Sequence, residues 1–387
     1  MKTKISIGAL CMILFIGTKC AAQNTLIGEK QISQINQKVE ELANSDRFSG
    51  TILIAKGNEI LYQKAVGLAN KELNIPNSVD TKFNLASMNK MFTSIAIAQL
   101  VEQNKLSYND KVVKHLPNLP EKIFGKITID QLLTHTSGTC DFFRIPKFME
   151  IKDTAKTINS YLELGINEPL LFEPGTRFEY SNYGYILLGG VIEKLTGMSY
   201  FDYVRKYIFA VAGMENTDSY ETDKNNKNMA LGYAMPPPMP GQAPVPMGEK
   251  MNREINTKII EVKGTSAGGG YSTAIDLHKF SQALLSGKLI STKSVEMIMK
   301  GKIAMPAARI PLPPNAKPLP EMKYGYGFGE RYNNNIRITG HSGGAPGVSG
   351  QLDIYPELEY TVIILSNYDM IATPLMNRVS EIITSKQ

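Results

Sequence analysis

The sequence predicts a protein of the α/β class, of the α+β type: an antiparallel sheet flanked by helices, with an all-helical subdomain attached. Strand-like segments lie near both ends of the chain, and mostly helical sequence separates them. The chain of 387 residues is 43% hydrophobic, so it can bury a large core. We therefore expect the two ends to build one sheet and the middle of the chain to form the helical region.

The first 22 residues are typical of an export signal. Two lysines precede the apolar run 5–16, and the small residues that a signal peptidase reads stand directly before Gln23. The run is shorter than the roughly 20 residues that a membrane-spanning helix needs. We expect cleavage after residue 22, leaving one domain over 23–387 in the periplasm or outside the cell, with no transmembrane segment.

Lipidation of Cys20 is the alternative fate of this N-terminus, although Lys19 stands where a lipoprotein signal usually carries Gly or Ala. Cleavage removes three lysines and no acids, which lowers the formal net charge from +6 to +3. A nearly balanced surface without basic runs does not predict nucleic-acid binding. Cys140 remains as the single cysteine, so no internal disulfide is expected.

The elements follow from periodicity. In "KQISQINQKVEELAN", Ile32, Ile35, Val39 and Leu42 recur at helical spacing, which predicts an amphipathic helix. The next segment, "GTILIAKGNEILYQKAVG", reads as two strands joined by a turn at residues 56–58. Near the C-terminus, "NNIRITG", "VSGQLDIYP" and "YTVIILSN" predict three more strands, followed by the helix "TPLMNRVSEIITS".

Two segments rich in methionine and proline, Tyr233–Met251 and Met305–Met322, interrupt this pattern. Prolines lack a backbone donor and exclude regular helix, so both segments are predicted to be extended surface loops. They are either unstructured insertions or, because methionine beside proline is apolar, part of the lining of a substrate pocket.

Three serines compete as the nucleophile of a hydrolase. Ser342 and Ser266 each lie in a G-x-S-x-G match, and Ser87 begins the S-x-x-K match "SMNK". A G-x-S-x-G elbow requires a strand-turn-helix and a histidine later in the chain. All four histidines precede Ser342, and Ser266 is followed by three glycines that start a helix poorly. We therefore reject both elbows.

Ser87 has a more suitable setting. It precedes "MNKMFTSIAIAQL", a segment apolar on nearly every face, as a helix buried in the core would be. Lys90 lies one helical turn beyond Ser87, within reach of its hydroxyl. Burial would lower the pKa of this lysine from about 10.4 and free its lone pair to act as a base.

The motif Tyr180-Ser181-Asn182 lies downstream, before another apolar helix. Together with "SMNK" and His341-Ser342-Gly343 it makes an ordered set of three motifs. This set resembles the serine β-lactamase and penicillin-binding protein superfamily, closest to the branch of class C β-lactamases, D-aminopeptidases, D-alanyl-D-alanine carboxypeptidases and related esterases. "ITIDQLLTHTSG", "GGGYSTAIDLHKF" and "YGYGFG" match the same branch. The resemblance covers Phe48 to the C-terminus and implies the penicillin-recognition fold.

The resemblance also implies roles for single residues. Ser87 would be the acylated nucleophile and Lys90 its proton acceptor or electrostatic partner. Tyr180 would face both, with its pKa lowered by the charge of Lys90. Asn182 would orient the substrate amide, and the oxyanion would lie between the backbone N–H groups of Ser87 and Gly344.

The third motif would line the pocket, with Ser342 as a hydrogen-bond donor and with Gly343 and Gly344 small enough to admit a substrate. His341 departs from the lysine that β-lactamases usually carry. A histidine is mostly neutral at pH 7.5, so it should hold a substrate carboxylate weakly and favour uncharged esters or amides. A substrate carboxylate bound there would give a KM that rises between about pH 6 and 8.

The sequence thus predicts an exported serine hydrolase that works through an acyl-enzyme on an amide or ester, as a peptidase, an esterase or a weak β-lactamase. Its substrate would be a small molecule or a fragment of peptidoglycan. The alternative is a catalytically idle sensor module that binds peptidoglycan or a β-lactam. Four scattered histidines without H-E-x-x-H predict neither a metal nor another cofactor, and His135 in "LLTHTSG" is interpreted as part of a structural turn.

Overall fold

A computed structural model describes residues 27–236, 252–257, 260–306 and 321–385. The predicted signal peptide lies outside these ranges, as do most residues of the two segments rich in methionine and proline. Over the described ranges, every helix is too short or too polar to cross a bilayer.

The strands include one long set that forms the main sheet and several two- or three-residue pairs. In chain order they are β1 Gly50–Lys56, β2 Glu59–Val66, β3 Leu68–Asn70, β4 Ile75–Pro76, β5 Phe83–Asn84, β6 Tyr233–Ala234, β7 Glu254–Ile255, β8 Tyr271–Ser272, β9 Ile303–Ala304, β10 Lys323–Tyr324, β11 Gly329–Asn333, β12 Ile336–Ala345, β13 Val348–Tyr355 and β14 Tyr360–Ser366.

Most helices fall between β5 and β6. In chain order they are α1 Glu29–Asn44, α2 Asn89–Glu102, α3 Val112–His115, α4 Glu121–Phe124, α5 Ile129–Leu133, α6 Phe148–Ile151, α7 Ile158–Gly165, α8 Asn182–Thr196, α9 Tyr200–Val204, α10 Ala210–Ala212, α11 Ala274–Leu285, α12 Thr292–Met299 and α13 Ala372–Thr384. Three single 3₁₀ turns (Ala86–Met88, Phe142–Arg144 and Pro356–Leu358) and one π-helical turn (Arg205–Phe209) complete the described structure.

The main sheet has eight strands in the order β2-β1-β14-β13-β12-β11-β10-β9, and each pair is antiparallel. The pairing of β1 with β14 joins the two ends of the chain, as the sequence predicts. Its register runs from Gly50 opposite Ser366 to Lys56 opposite Tyr360. The turn at residues 56–58 closes the β1–β2 hairpin, with Gly57 at a φ of +52° that an L-residue adopts at a cost.

Alternation along the strands separates two cores. Ile52 and Ile54 of β1 face the helices at the chain ends and pack with Val39 of α1 and Val379 of α13. Leu53 faces the opposite side, where α2, α8 and α11 fill the larger core. The helices between β5 and β6 cluster around α2 and α8. The predicted fold class, an antiparallel sheet flanked by helices with a helical subdomain, is confirmed.

Candidate active site

The 3₁₀ turn that carries Ser87 leads directly into α2. Ala86 has a φ of +43°, an uncommon conformation for a residue with a side chain. The turn is held from both sides, because the Ala86 N–H donates to Asn84 Oδ1 (2.8 Å) and its carbonyl accepts from the Gly269 N–H (3.1 Å). A Cβ on Gly268 would lie 2.9 Å from that carbonyl oxygen, so this glycine lets the two segments approach. The half-buried Ser87 is thus fixed at the start of the buried helix.

Lys90, on the first turn of α2, is fully buried. Its Nζ lies 3.4 Å from Ser87 Oγ, and it donates to Asn182 Oδ1 (2.6 Å) and to the backbone carbonyl of Ala267 (2.5 Å). A neutral amine has two N–H bonds and one lone pair. If the two N–H bonds point to Asn182 and Ala267, the lone pair points toward Ser87.

Burial lowers the pKa of Lys90 to about 7, against the opposing charges of Asp141 and Glu261. Above pH 7 the amine is therefore mostly neutral. This matches the sequence-based expectation that burial would free the lone pair of this lysine.

Tyr180 covers the same amine with its ring, whose centroid lies 4.8 Å from Lys90 Nζ. Its hydroxyl oxygen is buried and has no hydrogen-bond partner of normal geometry in the described part of the chain. Burial raises the pKa of Tyr180 well above its ordinary value, and the neighbouring Ser87 side chain opposes this shift. The expectation that Lys90 would lower this pKa is wrong, because desolvation is the largest cause of the shift and the neighbouring Tyr185 and Asp141 raise the pKa further.

Asn182 begins α8, with Ser181 as the N-cap that accepts a hydrogen bond from the Gly184 N–H (3.1 Å). Its amide bridges two groups: Oδ1 accepts from Lys90, and Nδ2 donates to Asp141 Oδ2 (2.9 Å). The asparagine therefore orients Lys90 in this structure, and one N–H of Nδ2 remains for a substrate.

His341 lies on β12 with both ring nitrogens engaged within the protein. Nδ1 lies against the carbonyl of Ser342, which can only accept, so Nδ1 carries the proton. Nε2 therefore accepts from the Tyr324 hydroxyl (2.8 Å). Burial, with the charge of Lys90, lowers the pKa of His341 to about 3. The expected titration between pH 6 and 8 is wrong, because the imidazole is neutral throughout that range.

The other two residues of this motif lie on opposite faces of β12. Ser342 is exposed, whereas Gly343 is buried and a Cβ there would lie 2.1 Å from the carbonyl oxygen of Leu85. Gly343 is therefore small because the turn before Ser87 packs on this strand, and the expected reason, room for a substrate, does not apply to it. A Cβ on Gly344 would meet no described atom within 4 Å.

The register of β12 gives the direction of the Gly344 N–H. The two-residue turn at Asn334 and Asn335, both with positive φ, closes a hairpin in which β12 pairs with β11 only as far as Gly340. Hydrogen-bonded and non-bonded pairs alternate, so Ile336, Ile338 and Gly340 bond toward β11. By the same alternation the N–H of Gly344 points to that side, past the end of β11, where the described strand edge is open.

The rejected serine Ser266 is fully buried, and its hydroxyl donates to the backbone carbonyl of Tyr185 (2.8 Å). Its segment serves the site in another way, because the next residue, Ala267, supplies the carbonyl that holds Lys90. Asp141 and Tyr324 also belong to the site and were missed. Asp141 lies in no motif with a recognisable spacing, whereas Tyr324 begins "YGYGFG", a stretch that matches the family branch but to which no site role was assigned.

Within the described ranges, no group of three or more His, Cys, Asp or Glu residues is arranged to hold a metal ion. The site consists instead of a serine, a buried amine, a phenol and backbone N–H groups. These are the parts of an acyl-transfer centre.

Known proteins have sequences related to this chain. A family model described as Beta-lactamase matches residues 35–373. Penicillin-binding protein 4* of Bacillus subtilis (strain 168) is 34% identical over 338 residues, which cover 85% of this chain and 70% of that protein. Protein flp of Staphylococcus aureus (strain MW2) is 27% identical over 86% of this chain, and this chain spans 62% of it.

Solved structures agree in fold. The penicillin-binding protein from Bacillus halodurans superposes with a TM-score of 0.74 at 29% identity, over 89% of this chain and 98% of that one. The D-amino acid amidase from Ochrobactrum anthropi SV3 complexed with D-phenylalanine gives a TM-score of 0.73 at 24% identity, over 90% and 99% of the two chains. At that identity the second likeness speaks for the fold alone.

The family model spans most of the chain, and the resemblance drawn from the three motifs is confirmed. The protein belongs to the beta-lactamase family, within the superfamily of serine β-lactamases and penicillin-binding proteins, and is a serine hydrolase of that type.

Proposed function

We propose that the protein is an exported hydrolase that forms an acyl-enzyme at Ser87 on an uncharged amide or ester. The observation that carries the proposal is the fully buried Lys90 amine, 3.4 Å from Ser87 Oγ with a pKa of about 7. A lysine near its ordinary pKa would be protonated at neutral pH and could not accept a proton.

The first step follows from this geometry. Ser87 Oγ forms a bond to the substrate carbonyl carbon while its proton passes to the lone pair of Lys90. The carbonyl electron pair moves onto oxygen, which the N–H groups of Ser87 and Gly344 stabilise. The tetrahedral intermediate then collapses, the bond to the leaving amine or alcohol breaks, and the leaving group takes the proton held by Lys90, relayed through the Tyr180 hydroxyl.

Deacylation reverses these roles with water. A water molecule loses a proton to Lys90 or through Tyr180, attacks the acyl carbon and releases the product acid, and the proton returns to Ser87 Oγ. Because burial keeps Tyr180 protonated, the phenol relays a proton, whereas the free amine of Lys90 is the base.

The third motif, His341-Ser342-Gly343, limits which charged substrates the site can bind. A buried imidazole whose pKa is about 3 cannot supply the positive charge that a substrate carboxylate would need near neutral pH. The His341 nitrogens are also already paired with Ser342 and Tyr324. Esters and amides without a carboxylate at that position are therefore favoured over β-lactams, which carry one.

The alternative function is a sensor that binds peptidoglycan or a β-lactam without turnover. A sensor has no need for a neutral buried lysine beside a serine, and burying an amine costs free energy. The activated pair favours the enzyme.

The test is covalent labelling of the full-length protein with a fluorophosphonate and with a fluorescent penicillin, read by intact mass. We expect a fluorophosphonate adduct on the parent and no adduct on Ser87→Ala. Ser342→Ala should still form the adduct and should turn over substrates more slowly than the parent. A sensor without an activated serine would take up neither probe. An adduct that persists in Ser87→Ala would refute the assignment of the nucleophile.

The leaving group can then be found with a panel of nitrocefin, p-nitrophenyl esters and D-amino-acid amides. We expect the uncharged esters and amides to be turned over with a higher kcat/KM than nitrocefin. Preferential hydrolysis of nitrocefin would contradict the substrate class while leaving the nucleophile in place.

A further inference from the structure

His135 contacts three consecutive residues of the segment that carries Tyr180. The N–H of Glu179 donates to the His135 carbonyl (2.9 Å), and the N–H of Ser181 donates to His135 Nδ1 (3.1 Å). Between them, the Tyr180 ring stacks on the imidazole with centroids 4.1 Å apart and planes at 30°. One buried residue therefore holds both sides of Tyr180: its backbone carbonyl binds Glu179, and its imidazole binds Ser181 and fixes the plane of the Tyr180 ring.

The backbone conformation at His135 is uncommon for a residue with a side chain. The residue has a φ of +58°, in the left-handed region that favours glycine or asparagine. The preceding helix α5 ends at Leu133, and Thr128 and Gln131 form a capping box at its start. His135 lies in the turn that follows this helix. A histidine in this conformation costs free energy that a glycine would avoid, which indicates that the imidazole itself is needed.

The protonation state of His135 is set by its partner. Nδ1 accepts from a backbone N–H, so the neutral ring carries its proton on Nε2. Nε2 is buried and has no hydrogen-bond partner in the described part of the chain. Burial holds the pKa of His135 well below its ordinary value, so the ring remains neutral and does not titrate during an assay near neutral pH.

The imidazole belongs to a closed aromatic cluster around the candidate base. Besides Tyr180, its ring contacts those of Phe178, Tyr185 and Tyr324 at centroid distances of 5.8, 5.1 and 4.8 Å. The rings of Tyr180 and Tyr185 lie 4.8 and 5.3 Å from Lys90 Nζ. If the stack on Tyr180 were lost, water could reach the amine that these rings keep dry.

We propose that His135 is the positioning residue of the site: it holds Tyr180 over Lys90 through the stacked ring and the bond from the Ser181 N–H. This inference rests on the proposed function, because it assumes that Lys90 and Tyr180 handle the proton of Ser87. His135 itself is not placed to touch the reacting atoms.

Two variants separate the two contacts. His135→Asn suits the left-handed backbone and keeps an acceptor close to the position of Nδ1, but it removes the stacked ring. His135→Phe keeps the ring and removes the acceptor. His115→Asn is the matched control, because it removes another buried imidazole, one that contacts Asp110 instead of the site (2.9 Å).

The readout is the rate of fluorophosphonate labelling of Ser87 from pH 5 to 9, with the melting temperature measured alongside. We expect labelling of His135→Asn to be slower by about 10²-fold, the scale of an ångström-sized displacement. The acidic limb of its pH profile, in which the labelling rate falls as the pH is lowered, should also move to higher pH. Lys90 faces two carboxylates, those of Asp141 and Glu261, and three neutral rings, those of Tyr180, Tyr185 and His341. Water that enters beside Tyr180 would solvate the charged form of the amine and raise its pKa from about 7.

Loss of rate in His135→Phe alone would assign the positioning to the Ser181 bond, and loss in both variants to the whole contact set. His115→Asn should lower the melting temperature without moving the acidic limb. Folded His135 variants that label at the parental rate with the parental limb would overturn the proposal. A parent protein that takes up no probe would instead refute the proposed function.

Discussion

At the scale of single residues, the chemistry depends on which of two buried groups holds a proton. Burial disfavours charge on both Lys90 and Tyr180, so the lysine loses a proton easily and the tyrosine does not. The pair thereby divides into a neutral base and a neutral phenol near pH 7.

The pH dependence follows from that division. Lys90 is protonated below its pKa, so acylation should rise with pH around a midpoint near 7 and fall about tenfold for each unit below it. His341 stays neutral over the same range, so the KM of a substrate with a carboxylate should be flat between pH 6 and 8. Labelling rates and KM measured across buffers check both statements. A KM that climbs over that interval would show that His341 titrates there.

Tyr180→Phe removes a hydroxyl and keeps the ring that stacks on His135. We expect kcat to fall by about 10²- to 10⁴-fold, as typically follows the loss of an acid-base group, with the melting temperature unchanged. Steady-state kinetics on the best ester of the panel measure the effect. A kcat close to that of the parent would leave the proton transfer to Lys90 alone.

The sequence could supply the residues of the motifs but not their partners. Ser87 and Lys90 lie in one short pattern inside an apolar stretch, and Tyr180 lies in a second short pattern that precedes an apolar helix. The Ala267 carbonyl, Asp141 and the acceptor on His135 come from distant parts of the chain. Only the fold brings those atoms within hydrogen-bond distance, so no spacing along the chain could have indicated them.

At the scale of elements, the site depends on how closely β12 approaches the turn that carries Ser87. Helix α1 and strands β12, β13 and β14 follow the periodicities that predicted them. The short strands β9 and β10 did not appear in the sequence analysis, because two residues are too few to show an alternation. They extend the sheet beyond β11, and Tyr324 of β10 donates its hydroxyl hydrogen bond to His341 of β12.

Two neighbouring glycines of β12 provide a matched test of how closely this strand packs on the turn that carries Ser87. Gly343→Ala would place a Cβ 2.1 Å from the Leu85 carbonyl oxygen, so the strand or the turn must move. We expect a loss of about 1–3 kcal/mol in the free energy of unfolding, as overpacking typically costs, and slower labelling of Ser87.

Gly344→Ala is the control, because its Cβ would meet no described atom within 4 Å. Its free energy of unfolding, measured by urea denaturation beside that of Gly343→Ala, should be no lower than that of the parent, because alanine suits a strand better than glycine does. Equal stability of the two variants would contradict the tight packing of β12 on the turn.

At the scale of the whole molecule, the folded domain and the segment that precedes it are predicted to have different fates. The domain begins to take shape at α1, whose Ile35 and Val39 pack under the sheet. The preceding segment is predicted to be removed during export, since its apolar run resembles a signal sequence more than a structural element.

Export can be checked by mass. When the full-length protein is produced in a bacterium with its native N-terminus, we expect the recovered protein to begin at Gln23 and to be found outside the cytoplasm. A control with Lys inserted into the run 5–16 should keep its first 22 residues. A mature protein that begins at Cys20 and carries a lipid would support the lipoprotein alternative, and an uncut cytoplasmic protein would contradict export.

The pairing of β1 with β14 also governs when the molecule can fold. Lys56 lies opposite Tyr360, so this pair, one strand in from the β2 edge of the sheet, closes a loop that contains most of the chain. Such a long-range contact forms slowly, because the entropy of loop closure must be lost before the contact repays it. During synthesis β1 emerges first and must wait for the last strand. The helices between them can gather early, but the sheet stays open until β14 leaves the ribosome, and a chain in that state can still be threaded through a narrow translocation pore.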